Sequence, residues 1–234
     1  MIRVLCWDID GTLLSTGRAG IFAFEDAVRE VLGVSVDLMD FPTAGLTDVD
    51  ISQKLVAAYG DGATDPATAQ RLLRCYEAGL PASLPRKQGK VMPNVPEVLA
   101  AATRRPDLVN ILLTGNTRAG AHAKLTHYGL AGFFQHGAFA EDAPDRTSVA
   151  YAALAIACDL AGAGLDPTEI AVIGDTPHDV ACGKAIGACT VVVATGGHPL
   201  PDLLAYEPWQ GWEQLPEPLE FFRRLGIPEW EPAR

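Results

Sequence analysis

Residues 2–12 read IRVLCWDIDGT, a short apolar run with β-branched residues that changes abruptly into polar turn residues. The apolar part, residues 2–9, has the length and composition of a strand buried on both faces of a parallel sheet. The Asp10-Gly11 pair is typical of a turn and ends the strand. We therefore expect this strand to deliver Asp8 and Asp10 to one edge of a sheet, while Trp7 points to the opposite side and serves packing.

After Pro93 the chain alternates between helical and strand patterns. The predicted helices are 95–104, 118–128, 147–160 and 179–186, and the predicted strands are 109–113, 169–173 and 190–194. Such alternation is typical of an α/β fold, here a Rossmann-like parallel sheet core with helices on both faces and right-handed crossovers. Ligands of sheets of this kind bind beyond the carboxyl ends of the strands.

A helical block, residues 16–90, interrupts this pattern near the start of the chain. Its predicted helices are 19–32, 51–59 and 67–80, and no strand is expected within it. We interpret the block as an inserted α-helical cap, so that residues 1–15 and 91–234 form the α/β core. The proline-rich stretch 80–85 is the expected hinge back to the core, and residues 219–225 are expected to form a closing helix.

Composition limits the possible partners. The chain has 234 residues, a formal net charge of -11 and 48% hydrophobic residues. A surplus of acidic residues argues against a nucleic-acid partner, because phosphate backbones are bound by excess Lys and Arg. No apolar run has the length of a membrane span, and the start of the chain lacks a signal-peptide pattern. The five cysteines are widely spaced, as in proteins of reducing compartments, and we expect a cytoplasmic protein with no membrane partner.

Polar clusters follow three of the predicted strands, at residues 8–12, 114–116 and 174–179. The carboxyl ends of parallel strands meet at one edge, so four carboxylates would share one cleft. Like charges at such range cost several kcal/mol, which calls for a cation among them. Carboxylate oxygens favour Mg²⁺ over zinc. Gly11 and Gly115 would let backbone N–H groups approach an anion, and helix N-termini follow the second and third clusters.

This order of motifs resembles the haloacid-dehalogenase-like (HAD) superfamily. The pattern Asp-x-Asp-Gly-Thr, then Ser or Thr, then Gly-Asp-x-x-x-Asp is carried by Asp8, Asp10, Gly11, Thr12, Thr114, Gly174, Asp175 and Asp179. The early helical insert is similar to the cap of phosphoglycolate-phosphatase-like members. The resemblance implies a Mg²⁺-dependent phosphatase acting on a small phosphorylated metabolite.

The resemblance also implies a role for each acidic residue. Asp8 would be the nucleophile, because an aspartate of ordinary pKa is ionised at neutral pH and needs no general base. Asp10 would be the general acid–base. Mg²⁺ would be bound by Asp8, Asp175 and the backbone carbonyl of Asp10, which lowers the barrier to approaching a phosphate dianion. Asp179 would support the metal shell or a cationic residue.

The phosphoryl group would be held by a second set of residues. Under the same resemblance these are Gly11, Thr114, Gly115, Asn116 and a cation at the start of the helix before the third cluster. The superfamily usually has Lys at that position, whereas this chain has Arg146. Arg is a good bidentate phosphate ligand, so the substitution is chemically reasonable. Lys124 is the alternative cation.

Structural interpretations of some of these residues stay open. Thr114 could be a helix cap, since capping and phosphate binding use the same geometry. His178 is interpreted as a solvated loop residue rather than a catalyst. Arg18 and the turn 45–48 could reach the substrate from the cap or could serve only as hinge and turn.

Other functions stay open as well. A dehalogenase would not need Asp10, and a sugar-phosphate mutase would need a cap histidine, whereas no His precedes His122. A phosphonatase would need a cap lysine as imine former, for which Lys54, Lys87 and Lys90 are candidates. A non-catalytic module could use a phosphorylated aspartate as a regulatory switch. The residues select neither the metabolite nor the oligomeric state.

Overall fold

The computed structural model describes residues 1–43, 45–60, 65–143, 145–162 and 164–229. The strands are β1 Val4–Trp7, β2 Leu14–Ser15, β3 Lys90–Val91, β4 Val109–Leu113, β5 Gly137–Ala138, β6 Ile170–Gly174, β7 Cys189–Val193 and β8 Gln210–Trp212. Six of them form one parallel sheet in the order β5-β4-β1-β6-β7-β8, and β2 pairs with β3 in a separate antiparallel pair. The predicted Rossmann-like α/β fold is confirmed.

Helices cover both faces of the sheet. They are α1 Ala19–Leu32, α2 Asp48–Tyr59, α3 Pro66–Ser83, α4 Val95–Thr103, α5 Arg118–His127, α6 Arg146–Ala161, α7 Pro177–Ala185, α8 Leu200–Leu204 and α9 Pro218–Arg224. Side chains of β1 alternate between the two layers: Leu5 and Trp7 belong to the cluster that includes α4, α5 and α9, and Val4 and Cys6 to the cluster with α6 and α7. Burying each of the larger apolar side chains contributes about 1.5–3 kcal/mol.

The position of β1 determines where a ligand can bind. It lies between β4 and β6, so that Val4 pairs with both Val109 and Ile170. From β1 the chain first builds β4 and β5 on one side, and then crosses to build β6, β7 and β8 on the other. The winding therefore reverses beside β1, and the crevice beyond its carboxyl end is the topological switch point of the sheet.

Helices α1, α2 and α3 pack on one another around a hydrophobic cluster of their own and are called the cap below. Phe24 of α1 stacks on Tyr76 of α3, with ring centroids 3.8 Å apart. Thr47 and Asp50 cap the start of α2 reciprocally, and the Asp65 side chain accepts hydrogen bonds at the start of α3. Such caps satisfy backbone N–H groups that have no partner within the helix.

The expected hinge at residues 80–85 is wrong. Helix α3 continues through Pro81 to Ser83, although proline removes one helical hydrogen bond. The Ser83 hydroxyl donates to the carbonyl of Ala19 at 2.8 Å and ties this end of α3 to α1. The two junctions between cap and core carry β2 and β3, with Leu14 opposite Val91. The division into 1–15, 16–90 and 91–234 stays a prediction.

Most predicted elements are present with bounds shifted by a few residues. The sequence pattern missed the short strands β2, β3, β5 and β8, because two or three residues give no recognisable alternation. The closing helix expected at 219–225 is α9. Among the described residues, no helix has both the length and the apolar character needed to span a bilayer.

Candidate active site

Three strand ends meet at the carboxyl edge of the sheet, as the motifs predicted. Asp8 follows β1, Thr114 follows β4 and Asp175 follows β6, and all three side chains are buried. A cavity of about 450 Å³ lies between this edge and the cap. Asp8, Asp10 and Asp175 line it from the core, together with residues of the cap. The sheet therefore brings the predicted motifs to one enclosed space.

A buried carboxylate cluster forms the part of the site beyond the carboxyl ends of β1 and β6. Oxygen atoms of Asp8, Asp175 and Asp179 lie within 4.8 Å of one another. Burial raises the pKa of Asp175 to about 9, and the charges of Asp179 and Asp8 add to the shift. Burial likewise raises the pKa of Asp8 to about 7, although Arg146 opposes the shift. The protein therefore supplies too little positive charge to stabilise these carboxylates when all of them are ionised.

A divalent cation fits this cluster. Buried carboxylate oxygens without a nitrogen or sulfur ligand suit Mg²⁺, and the raised pKa values mark charge that a cation would neutralise. Backbone encloses Asp175 closely, because a Cβ atom at Gly11 or Gly196 would overlap its carboxylate. The Thr12 hydroxyl donates to Asp175 Oδ1 at 3.2 Å. Asp175 is thus held with its oxygens toward Asp8.

Asp179 belongs to the cluster but has other partners for both oxygens. Its Oδ1 accepts from Arg146 Nη2 at 2.5 Å, and its Oδ2 accepts from the backbone N–H and the hydroxyl of Thr176. These bonds cap the start of α7 and fix the guanidinium. Both oxygens of Asp179 are thus engaged by protein donors, and its supporting role stays a prediction.

Arg146 is the cation nearest to Asp8. It is the first residue of α6, and its Nη2 lies 3.1 Å from Asp8 Oδ1. Burial disfavours its charge, but Asp179 and Asp8 outweigh burial and raise its pKa. Among the described residues, its buried Nε–H has no hydrogen-bond acceptor. Arg146 therefore keeps donor capacity for an anion beside Asp8.

Lys124 serves a different carboxylate. Its Nζ donates to Asp10 Oδ2 at 2.6 Å and to Asn116 Oδ1 at 2.5 Å. Asn116 Nδ2 also donates to Asp10 Oδ2, at 2.9 Å, and to Thr114 Oγ1, at 2.8 Å. Burial lowers the pKa of Lys124, but Asp10 and Asp48 outweigh it and the net shift is upward. Both candidate cations thus lie in the site, one beside Asp8 and one beside Asp10.

The turn 114–116 lies between the two cations. Thr114 is fully buried, and its hydroxyl accepts from Asn116. Thr114 is not the helix cap, because Thr117 is the N-cap of α5 and its side chain accepts from Gly120 N–H. Gly115 has no room for a side chain, since a Cβ atom would lie 2.7 Å from Arg146 Nη1. The interpretation of Thr114 as a mere cap is therefore wrong.

The cap contributes Asp48, the last residue of the turn 45–48 for which the sequence left a substrate-contacting role and a turn role open. Asp48, at the start of α2, is 6% exposed and its Oδ2 accepts from Thr117 N–H at 2.9 Å. Burial raises the pKa of Asp48 to about 6, while Lys124 and the Thr117 N–H act in the opposite direction. Arg18 lines the cavity and donates to the carbonyl of Met39. His178 is exposed beside Gly45 of the cap.

Comparisons with known proteins agree with this geometry. The sequence profile of the haloacid dehalogenase-like hydrolase family matches residues 5–184. The chain is similar to the probable phosphatase IndB of Dickeya dadantii, at 28% identity over an alignment of 218 positions that covers 89% of this chain and 88% of that protein.

Solved structures show the same fold at low identity. A predicted phosphoglycolate phosphatase of Haemophilus somnus superposes with a TM-score of 0.70 at 18% identity, covering 91% of this chain and 94% of that one. CbbY of Rhodobacter sphaeroides, solved in complex with phosphate, superposes with a TM-score of 0.70 at 14% identity, covering 92% and 95%. The resemblance inferred from the motifs is thus confirmed: the chain belongs to the haloacid dehalogenase-like hydrolase family.

Proposed function

We propose that this protein is a Mg²⁺-dependent phosphatase that hydrolyses a small phosphorylated metabolite through an aspartyl-phosphate on Asp8. The observation that carries the proposal is the buried cluster of Asp8, Asp175 and Asp179 with Arg146 at the switch point of the sheet. Residues 1–15 and 91–234 supply the hydrolase core in this proposal, and residues 16–90 the cap. We further propose a cytoplasmic enzyme with no nucleic-acid or membrane partner.

Mg²⁺ would be held by Asp8, Asp175 and the backbone carbonyl of Asp10, and when bound it would offset the repulsion between Asp8 and a phosphate dianion. Arg146 adds positive charge on the same side, 3.1 Å from Asp8. The hydroxyl of Thr114 and the backbone amides at Gly11, Gly115 and Asn116 would hold the phosphoryl oxygens.

The first chemical step breaks the ester. A carboxylate oxygen of Asp8 bonds to phosphorus while the bond from phosphorus to the leaving oxygen breaks. Asp10 gives its proton to that leaving oxygen, and the alcohol departs. Among the described residues, Lys124 and Asn116 both bind Asp10 Oδ2. Oδ1 is therefore the oxygen that transfers the proton.

The second step regenerates the enzyme. Asp10, now ionised, accepts a proton from water while the water oxygen bonds to phosphorus. The bond between phosphorus and Asp8 then breaks, and inorganic phosphate is released. A single carboxylate thus acts first as acid and then as base.

The decisive experiment uses p-nitrophenyl phosphate with Mg²⁺. We expect Asp8→Asn to lower turnover by about 10⁴-fold or more, because no nucleophile remains, and EDTA to abolish it. After a rapid acid quench, mass spectrometry should find the phosphoryl group on the peptide that contains Asp8. Asp159→Asn, an exposed position on α6, is the control and should keep full activity. Undiminished turnover by Asp8→Asn would remove the proposal.

The alternatives have less support. The three candidate imine-forming lysines of a phosphonatase, Lys54, Lys87 and Lys90, are not among the described residues that line the cavity. A dehalogenase has no use for Asp10 with its Lys124 and Asn116 partners. A non-catalytic module would keep its phosphoryl group for long periods, whereas an enzyme turns over, so the quench experiment separates these two functions.

A further inference from the structure

Asp48 belongs to the cap but makes two hydrogen bonds with the core. Its backbone N–H donates to the carbonyl of Gly115 at 2.7 Å, and its Oδ2 accepts from the backbone N–H of Thr117 at 2.9 Å. Its Oδ1 faces the hydroxyl of Tyr76 at 3.4 Å. One residue therefore connects α2 and α3 of the cap with the turn that follows β4.

The core is shaped to admit this contact. A Cβ atom at Gly115 would lie 2.8 Å from the carbonyl oxygen of Leu46, and one at Gly120 would lie 3.2 Å from Asp48 Oδ2. On the cap side, Gly45 has a positive φ of 73° and lies so close to His178 that a side chain would overlap the imidazole. Glycines on both sides thus permit the backbones of cap and core to touch.

Burying Asp48 in this contact costs free energy, so stability of the fold alone does not explain it. Asp48 is buried, and among the described residues it forms no ion pair within 4.0 Å. A buried carboxylate without an ion pair is costly even when it accepts hydrogen bonds. Asp50, in the first turn of the same helix, shows how an acidic residue ordinarily stabilises a helix start. It caps α2 within the cap itself and is only half-buried.

We propose that Asp48 is a positioning residue that fastens the closed cap to the turn 114–117, so that cap closure and ordering of the phosphate-binding backbone are one event. The carbonyl that Asp48 holds belongs to Gly115, directly after Thr114 and against Arg146. When the cap lifts, the peptide groups of Gly115 and Thr117 lose their partners in the cap. The consequence for turnover rests on the proposed phosphatase function.

The kinetic test compares three variants with p-nitrophenyl phosphate and Mg²⁺. We expect Asp48→Ala to lower kcat/KM by about tenfold, with most of the loss in kcat, because the turn is no longer held in place. Asp48→Asn keeps an acceptor for Thr117 and should recover activity to within about threefold of wild type. Asp50→Ala is the matched control: it removes a cap from the same helix and should lower Tm but leave kcat unchanged.

The second measurement does not depend on any activity. Hydrogen–deuterium exchange of the segment 114–120 reports the Thr117 N–H directly. We expect about tenfold faster exchange there in Asp48→Ala, and wild-type exchange in Asp50→Ala and Asp48→Asn. If Asp48→Ala changed neither exchange nor kcat/KM, or changed them no more than Asp50→Ala, the proposal would be overturned. If the wild-type protein hydrolysed no phosphate ester, the exchange measurement alone would still decide whether Asp48 fastens the cap.

Discussion

The two halves of the site differ in how their charges are balanced. On the β6 side, three buried carboxylates, Asp8, Asp175 and Asp179, share the single guanidinium of Arg146. On the β4 side, the carboxylate of Asp10 has Lys124 at 2.6 Å and the amide of Asn116 at 2.9 Å. In the first half three carboxylates share one cation, whereas in the second the carboxylate in contact with the cation has that partner to itself.

This difference assigns chemistry to each half. An unbalanced cluster needs a cation before its carboxylates can ionise together, which agrees with the raised pKa values of Asp8 and Asp175. Lys124 and Asn116 fix one oxygen of Asp10, and among the described residues its other oxygen accepts no hydrogen bond, which leaves that oxygen available for proton transfer. Charge balance thus separates the proposed metal and nucleophile half from the proposed acid–base half.

Among the variants that test this comparison, removal of Asp175 should have the largest effect. We expect Asp175→Asn to lower Mg²⁺-dependent turnover by about 10³-fold, since the cation loses a carboxylate ligand. Tm without metal should stay within a few degrees of wild type, because at neutral pH Asp175 already carries a proton. Titration of activity with Mg²⁺ and thermal unfolding test the two parts separately. Full activity of Asp175→Asn at the Mg²⁺ concentration that saturates the wild-type protein would contradict the assignment of metal binding to this half.

Replacing each of the two cations should have a kinetic effect of intermediate size, and the two effects should differ in kind between the halves. Arg146→Ala should lower kcat/KM by about 10²-fold and weaken inhibition by inorganic phosphate, because in the proposed mechanism Arg146 binds the phosphoryl group. Lys124→Met should lower kcat by about tenfold and leave phosphate inhibition nearly unchanged, because its partner is Asp10. Steady-state kinetics with phosphate as inhibitor measures both. The opposite pattern would make Lys124 the phosphate ligand.

The smallest expected effect is a pH dependence of stabilisation by Mg²⁺. In the folded metal-free protein, Asp8 and Asp175 hold protons up to about pH 7 and about pH 9, whereas the unfolded chain releases them near pH ~4. The folded state therefore binds more protons, and the free energy of unfolding falls as pH rises through this window. Because Mg²⁺ binds the ionised carboxylates, it should raise Tm by a few degrees more at about pH 9 than at about pH 6.

Differential scanning fluorimetry with and without Mg²⁺ measures this difference. Asp175→Asn is the control and should lose most of the pH dependence. An equal Mg²⁺-induced shift at both pH values would mean that these two carboxylates do not bind the ion.

The three motifs could be located from the sequence, because each follows a strand that its local pattern predicts. Asp8, Thr114 and Asp175 each follow a strand that sequence periodicity could find, and parallel strands end at one edge. The partner of Asp10 was harder to identify, because Lys124 lies two helical turns beyond Asn116 and both must face the same way. That spacing of eight residues was the signal available in the sequence.

Two features depended on tertiary packing that no local pattern encodes. The sequence places Asp48 in the turn 45–48 without indicating a partner, and its contact with Thr117 exists only once the cap lies on the core. The proline-rich stretch around Pro81 favoured a hinge, but packing of α3 against α1 kept it helical. Packing within the cap overrode a local preference in the first case, and packing of the cap on the core created a long-range contact in the second.

The packing of Trp7, on the apolar side of β1, has a consequence for folding during synthesis. Trp7, next to Asp8 in the chain, stacks on Phe221 of α9 with ring centroids 5.8 Å apart. The strand that bears the proposed nucleophile and the helix that covers its apolar side are thus separated by more than 200 residues of chain. A nascent chain on the ribosome therefore leaves this tryptophan without its aromatic partner until α9 has emerged, long after β1 itself.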